Sequence, residues 1–308
     1  MTRPPLPRRL QGAALIMALL IMALATTLAT TLVWHEDAWL QQVATRRELA
    51  QTRQLAITGI DWARMVLAED GRVNRYDYLG EPWATKLPPM PAEGGEIGGH
   101  ITDEQSRFNL NNLAKNGQPS PEDILAYQHL LRKLDLPADL ADALAGWIGN
   151  TDAAATEDAA YQSLDPPYRS AGRPLTDVDN LLHVRGYTPR IVDRLRPYVT
   201  TLPGYNPVNI NTASALVISA VLNDFPLPEI QQIIVDRDRI PYIDRGDIKK
   251  RLARQDLADS PNLLRIDTSS HHFTAHVDVR LGHAETTLLA LLQRPDNQWP
   301  IILWQKFE

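Results

Sequence analysis

The densest group of side chains able to do chemistry in this sequence is acidic. Asp152, Glu157 and Asp158 lie in an alanine-rich loop between Gly149 and Tyr161. Together with loop carbonyls they could supply part of the roughly six to eight oxygens that a calcium ion takes. The bland alternative is a solvated acidic turn that caps the following helix. His272 and His276 are four apart and so share one face of an extended strand. With no third ligand nearby, they read as surface histidines rather than a zinc site. No nucleophile paired with a base, phosphate loop or metal triad stands out, so the chain reads as a non-enzyme.

Two segments look like one another. Residues 173–195 read as helix, tight turn at Gly186, helix; residues 208–248 repeat the idea, with Leu227–Arg237 as their second helix. Val208-Asn-Ile-Asn-Thr-Ala213 is an opening found in helix-hairpin-helix modules, some of which hold DNA phosphates. Such a hairpin needs a Gly-apolar-Gly turn that lets backbone N–H groups approach phosphate. Asn223-Asp224-Phe225-Pro226 stands there instead, with no glycine, one acid and a proline that has no N–H. The formal charge of −6 adds no basic field. These units are expected to be packing modules, and a membrane-tethered DNA receptor of the competence type is the alternative.

The elements that position these residues begin with a membrane segment. Residues 1–12 carry Arg3, Arg8 and Arg9 and no acid, and the 21 residues from Ala13 to Val33 carry no charge. As a helix that run covers the roughly 30 Å of a bilayer's hydrocarbon. Paired threonines at 26–27 and 30–31 are tolerable there if their hydroxyls bond back to the helix carbonyls. Trp34 and Trp39 sit where an interfacial belt would be, and the basic leader places residues 1–12 in the cytoplasm with the rest outside. A cleaved signal peptide is the alternative. The Ala23–Ala25 pair and the Thr-rich stretch favour that alternative; against it, the run exceeds an apolar core of about 7–15 residues and no clear small-x-small cleavage site precedes Trp34.

Leu40, Val43, Ala50, Ile57, Ile60 and Leu67 extend the helix as a narrow apolar stripe, which Gly71 is expected to end. From Ala13 to Ala68 it would be on the order of 80 Å long. Residues 71–95, rich in Pro and Gly, read as a loop, followed by a short strand near 97–102. Ser120-Pro121 opens a helix, and a second is expected over 137–148. After residue 262 the pattern becomes alternating: Leu263, Leu264 and Ile266, then Phe273 to Leu281, a turn at Gly282-His283, Glu285 to Arg294 and Trp299 to Phe307. The chain contains no Cys, so no disulfide supports it. The expected architecture is α+β, with an antiparallel sheet packed on the long helix and a helical domain inserted into the sheet.

Several segments then carry a resemblance. Gly12 lies between a basic leader and an apolar run, which resembles the leader of type IV pilin-like proteins. Asp103, Glu104, Arg107, Phe108, Asn109, Leu110, Asn111 and Leu113 resemble a segment of the type II secretion minor pseudopilin K family. Trp147, Ile148, Glu157, Asp158, Tyr161, Pro166, Pro167 and Tyr168 resemble a second. The resemblance implies a leader, residues 1–12, cut between Gly12 and Ala13 by the prepilin peptidase, with N-methylation of Ala13. It implies a transmembrane helix over 13–33, a periplasmic extension over 34–70, a pilin-like sheet from 71–104 and 262–308, and an inserted domain over 105–261 with helix-hairpin-helix or SAM-like units. It implies residence in a bacterial inner membrane, with the bulk periplasmic. Met17 stands where most such subunits have a Glu that pairs with a neighbour's N-terminal amine, and the subunit lacking it is the one at the filament tip. The implied partners are minor pseudopilins I and J, with the secretin or secreted substrates beyond them. Calcium is the implied ion, although Gly149 stands where the family usually has an Asp.

Overall fold

The structure, a computed structural model, describes residues 9–92, 94–150, 158, 161–163, 166–296 and 298–308. Helix α1 runs unbroken from Arg9 to Val73. Every described side chain from Ala13 to Arg47 is exposed, and the hydroxyls of Thr27, Thr30 and Thr31 bond to carbonyls one turn back, at 2.6 to 2.9 Å. From Thr52 onward the helix has a buried stripe: Thr52, Ala56, Ile60, Ala63 and Leu67. Leu40 and Val43 of the expected stripe are exposed, because the sheet first meets α1 at Glu48, beside Gly282 and His283. Gly71 does not end the helix. It lies under the Arg294 side chain, where a Cβ would come within 3.2 Å of Arg294 Cδ, and α1 closes only after the Asn74 N–H has bonded to the Asp70 carbonyl at 2.9 Å.

The sheet has five antiparallel strands whose spatial order is their chain order: β1 (Leu87–Ala92), β2 (Gly95–Asp103), β3 (His272–Leu281), β4 (Ala284–Gln293) and β5 (Ile301–Phe307). One face packs on α1 through Ile101, Phe273, Ala275, Val277, Leu288, Ala290 and Leu292, with Trp83 across one end. The approach is tight at Gly59, where a Cβ would lie 2.6 Å from Val277 Cγ1. β1 corrects the loop reading of residues 71–95. Pro88 and Pro89 fall at the irregularity between Leu87 and Met90, where regular pairing with β2 lapses, and Pro91 is compatible with a strand because β1 is an edge. Residues 261–265 also differ from expectation and form a 3-10 turn, with Ser260 Oγ accepting from the Asn262 N–H at 3.1 Å. Proline at the first turn position favours that conformation over a strand.

Between β2 and β3 the chain leaves the sheet at Glu104 and returns at His271. Asp103 and Phe273 are cross-strand partners, so the exit and the return lie side by side. The excursion is helical: α2 (Pro121–Lys133), α3 (Leu140–Ile148), α4 (Pro189–Leu195), α5 (Ala215–Val221), α6 (Leu227–Arg239) and α7 (Arg245–Arg251). Its own core includes Phe108, Tyr127, Leu131, Leu144, Leu195, Ile218 and Ile230. The first expected helix of 173–195 is a 3-10 turn, Val178–His183, opened by an Asp177–Asn180 capping box.

Candidate functional site: a buried polar junction and an exposed helix

Within the excursion, two Asn-x-Asn segments do the same job. Phe108–Asn109 pairs in parallel with Val199–Thr200, and Val208–Asn209 with Ile266–Asp267. The first Asn of each accepts from the N–H of the second, at 3.2 Å for Asn109 and 2.9 Å for Asn209. The second Asn then clamps one residue of a distant loop through both its N–H and its carbonyl. Asn111 holds Leu175 at 2.8 and 3.0 Å, and Asn211 holds Tyr242 at 2.9 and 2.9 Å. The repeated unit therefore starts at each Asn-x-Asn, whereas the sequence pattern suggested that residues 173–195 match 208–248.

The two units and the sheet meet in a buried polar network. Asp103, the last residue of β2, accepts from Gln105 N at 2.8 Å, Thr212 Oγ1 at 2.6 Å, Ser270 Oγ at 2.8 Å and Asn209 Nδ2 at 3.2 Å. Burial and nearby Asp77 push its carboxyl up to about 7, against these donors. Beside it, Glu104 accepts from Thr200 Oγ1 at 2.7 Å and Thr274 Oγ1 at 2.8 Å. Arg294, just past β4, donates to both oxygens of Asp77 at 2.6 and 2.8 Å, to Asp70 at 2.7 Å and to the Ser270 carbonyl at 2.8 Å. Asp70 lies on α1, so a single guanidinium ties helix, sheet and excursion together. Burial and the nearby Glu81 and Asp77 carboxylates push Asp70 up to about 7, against the pull of Arg294.

Asp70, Asp77 and Glu81 bring carboxylate oxygens within 4.8 Å of one another. Arg294 already serves as the counter-cation of two of them. Trp83 Nε1 and Asn74 Nδ2 each donate to Glu81 at 2.7 Å. The cluster is built as a structural tie. No local sequence signal marks it: Asp70, Asp77 and Arg294 are ordinary residues in a helix end, a loop and a strand end. Asp103 and Glu104 were visible as a motif, but their long-range partners were not.

The acidic loop is a different environment. Asp152 and Glu157 lie outside the described residues. Asp158 accepts from Ser170 N at 2.8 Å and Ser170 Oγ at 2.7 Å, both through Oδ1, and these bonds hold its carboxyl below the usual range. Trp147, Tyr161 and Tyr168 form an aromatic cluster next to it, with ring centroids 5.1 to 6.0 Å apart. His272 and His276 do not form a site. His276 stacks on His100 across β2 and β3 at 4.4 Å. His272 is buried with neither ring nitrogen bonded, which corrects its surface assignment, and burial lowers it to about 4. The 223–226 turn offers no phosphate cradle, since Phe225 is buried and Asp224 accepts from Asn262 Nδ2 at 2.7 Å and from Ser260 Oγ at 2.5 Å. At the other end of the molecule, Gly12 and Ala13 lie within the continuous helix α1, and Met17 is exposed on it.

A long N-terminal helix, apolar and exposed in its first half and packed on an antiparallel sheet in its second, defines a pilin-like subunit with one candidate membrane span among the described residues. Family models for the type II secretion system (T2SS) protein K match residues 106–204 and 208–267, one for each Asn-x-Asn unit. The type II secretion system protein K of Pseudomonas aeruginosa is 29% identical over 298 residues, covering 92% of this chain and 88% of that protein. The Aeromonas hydrophila protein of the same description is 27% identical, with 96% of each chain covered. A crystal structure of the GspK-GspI-GspJ complex from enterotoxigenic Escherichia coli contains a chain with the same fold, at a TM-score of 0.71 and 22% identity, covering 87% of this chain and 99% of that one. The chain belongs to the type II secretion system protein K family.

Proposed function

We propose that this chain is a minor pseudopilin that forms the tip of a type II secretion pseudopilus together with minor pseudopilins I and J, promoting pseudopilus assembly and protein export. The observation that carries this reading is the continuity of α1. One continuous helix links a bare apolar span to a folded head that carries the inserted helical excursion beyond helix and sheet. The solved relative is part of a GspK-GspI-GspJ complex, which supports the same assembly here. Met17 supports the terminal position, since a thioether cannot pair with a neighbour's amine. The role is that of an assembly subunit and not of an enzyme. The anchor lies in the inner membrane, with residues 1–12 cytoplasmic and removed by prepilin peptidase, Ala13 methylated and the bulk periplasmic. Contact of the exposed head with the secretin or secreted substrates follows from that position.

The test is to purify the protein from membranes of cells co-expressing pseudopilins I and J. A mature N-terminus at methylated Ala13, with both partners retained, is expected. A start near Trp34, or recovery of the chain alone, sinks the proposal. Calcium belongs to this reading as the ion held by Asp152, Glu157 and Asp158. A carboxylate is the right hard donor, and Asp158 is fixed through one oxygen only in its bonds to Ser170.

A further inference from the structure

The two edges of the five-stranded sheet are built in opposite ways. β1 has three prolines in six residues, Pro88, Pro89 and Pro91, and its pairing with β2 is irregular between Leu87 and Met90. Proline removes donors, so this edge offers little to another strand. β5 also has one irregularity, at Leu303 between its pairs with Leu291 and Leu292, but it has no proline, charge only at Lys306, and apolar side chains at Ile301, Ile302, Leu303, Trp304 and Phe307. All seven of its residues are exposed. The Glu308 N–H bonds back to the Thr287 carbonyl at 2.9 Å, so by strand alternation the main-chain groups of Gln305 and Phe307 point away from β4 to the open edge. An exposed apolar edge of this kind is a template for strand addition, which folded proteins otherwise blunt.

α1 supplies a charged border along that edge. Arg64 Nε donates to the Pro300 carbonyl at 2.8 Å, and its guanidinium lies 5.5 Å from the Trp299 ring. Arg53 lies 5.5 Å from the ring of Phe307. Arg46, seven residues earlier, shares that flank of the helix. Arg64 is neutralised by Asp61 at 2.7 Å, whereas among the described residues neither Arg53 nor Arg46 has a carboxylate partner.

We infer that the β5 edge, Ile301–Phe307, is the site where a neighbouring pilin-like subunit adds an extended strand, with an acidic side chain of that strand facing Arg53 and Arg46. The uncompensated arginines select an acidic partner, and the open main chain selects an extended one. A head-to-tail row of copies of this chain is disfavoured, because the complementary edge β1 is closed by proline. Antiparallel β5–β5 pairing of two copies is also disfavoured. α1 runs along β4, meeting Glu48 to His283 at one end and Asp70 to Arg294 at the other, so such a pair would point the two membrane spans in opposite directions. A sheet with one open and one closed edge accepts a strand neighbour on one side only. The inference rests on the pseudopilin reading and names the surface through which a partner docks.

The absence of native Cys makes the test clean. Gln305→Cys and Met90→Cys versions of the full-length chain are each co-expressed with pseudopilins I and J that carry single cysteines along their strand edges. The membranes are then oxidised. Disulfide-linked heterodimers through position 305 and none through position 90 are expected. A second variant, Gln305→Pro, copies the closed edge without removing a β4 bond and should abolish strand-dependent co-purification while leaving the melting temperature in place. Arg53→Glu should weaken capture, and a Lys placed at the partner's acid should restore it. Co-purification with no crosslink at 305, equal crosslinking at 90, or a 305–305 homodimer overturns the inference and leaves the pseudopilin reading standing. Loss of co-purification by the unsubstituted chain overturns that reading instead.

Discussion

Two acidic regions of this molecule respond to opposite demands. The 149–161 loop carries its carboxylates close together in sequence, and the one described in structure, Asp158, is bonded to Ser170 in the same loop system and held in its charged form. The junction gathers Asp70, Asp77, Glu81 and Asp103 from an α-helix end, a loop and a strand end into the interior. There burial raises Asp70 and Asp103 to about 7, and Arg294 with a set of hydroxyl and amide donors keeps them in place. Clustering in sequence thus marks acids that solvent or an ion can serve. Acids that hold the fold together need partners that only the fold can bring.

That contrast can be broken most severely at Arg294. Arg294→Ala leaves Asp70 and Asp77 buried without their counter-charge, and a loss of about 3–5 kcal/mol in urea-unfolding stability is expected. A change within the range of surface substitutions would show that the junction is no tie. Asp103→Ala strands the Thr212 and Ser270 hydroxyls and the Gln105 N–H, and a loss of roughly 1–3 kcal/mol is expected.

The pH dependence sharpens the comparison. Asp103 has a folded pKa raised to about 7 from an ordinary 3.8, so the folded state holds the proton more tightly. Its stabilising contribution is full below the ordinary value and is lost as pH rises through 7. Asp103→Asn should flatten that part of the stability profile. His272 works in the other direction, with a folded pKa of about 4 against 6.5. Its neutral form is favoured in the fold, so stability falls as pH drops from 6.5 towards 4, and His272→Leu should remove that fall. Thermal melts across pH 4 to 8 read both slopes. The smallest effect is expected at the loop. Asp158→Ala should leave the melting temperature in plain buffer nearly unchanged, while any rise in melting temperature on adding calcium should shrink.

Legibility in the sequence divides along the same line. The anchor was readable because an absence of charge over Ala13–Val33 is a local property, and the sheet strands after His272 because alternation is local as well. Asn109 and Asn111 were visible as part of a motif, but their bonds to Leu175 and Leu202 were not. β1 was missed because its prolines mimic a loop, and only its lapse in pairing and its place at an edge make them compatible with a strand. Arg294 was missed because its partners lie 224 and 217 residues away, and no periodicity links such positions.

The side-by-side exit and return of the chain at Asp103 and Phe273 has one more consequence. To the sheet, the whole helical unit is equivalent to the turn of a β-hairpin. Its ends are already as close as any hairpin requires, so its length adds little to the entropy of pairing β2 with β3. Such a unit can be enlarged, trimmed or exchanged for another without re-registering a single strand. Variation in the head can therefore proceed while the shaft of long helix and sheet stays the same.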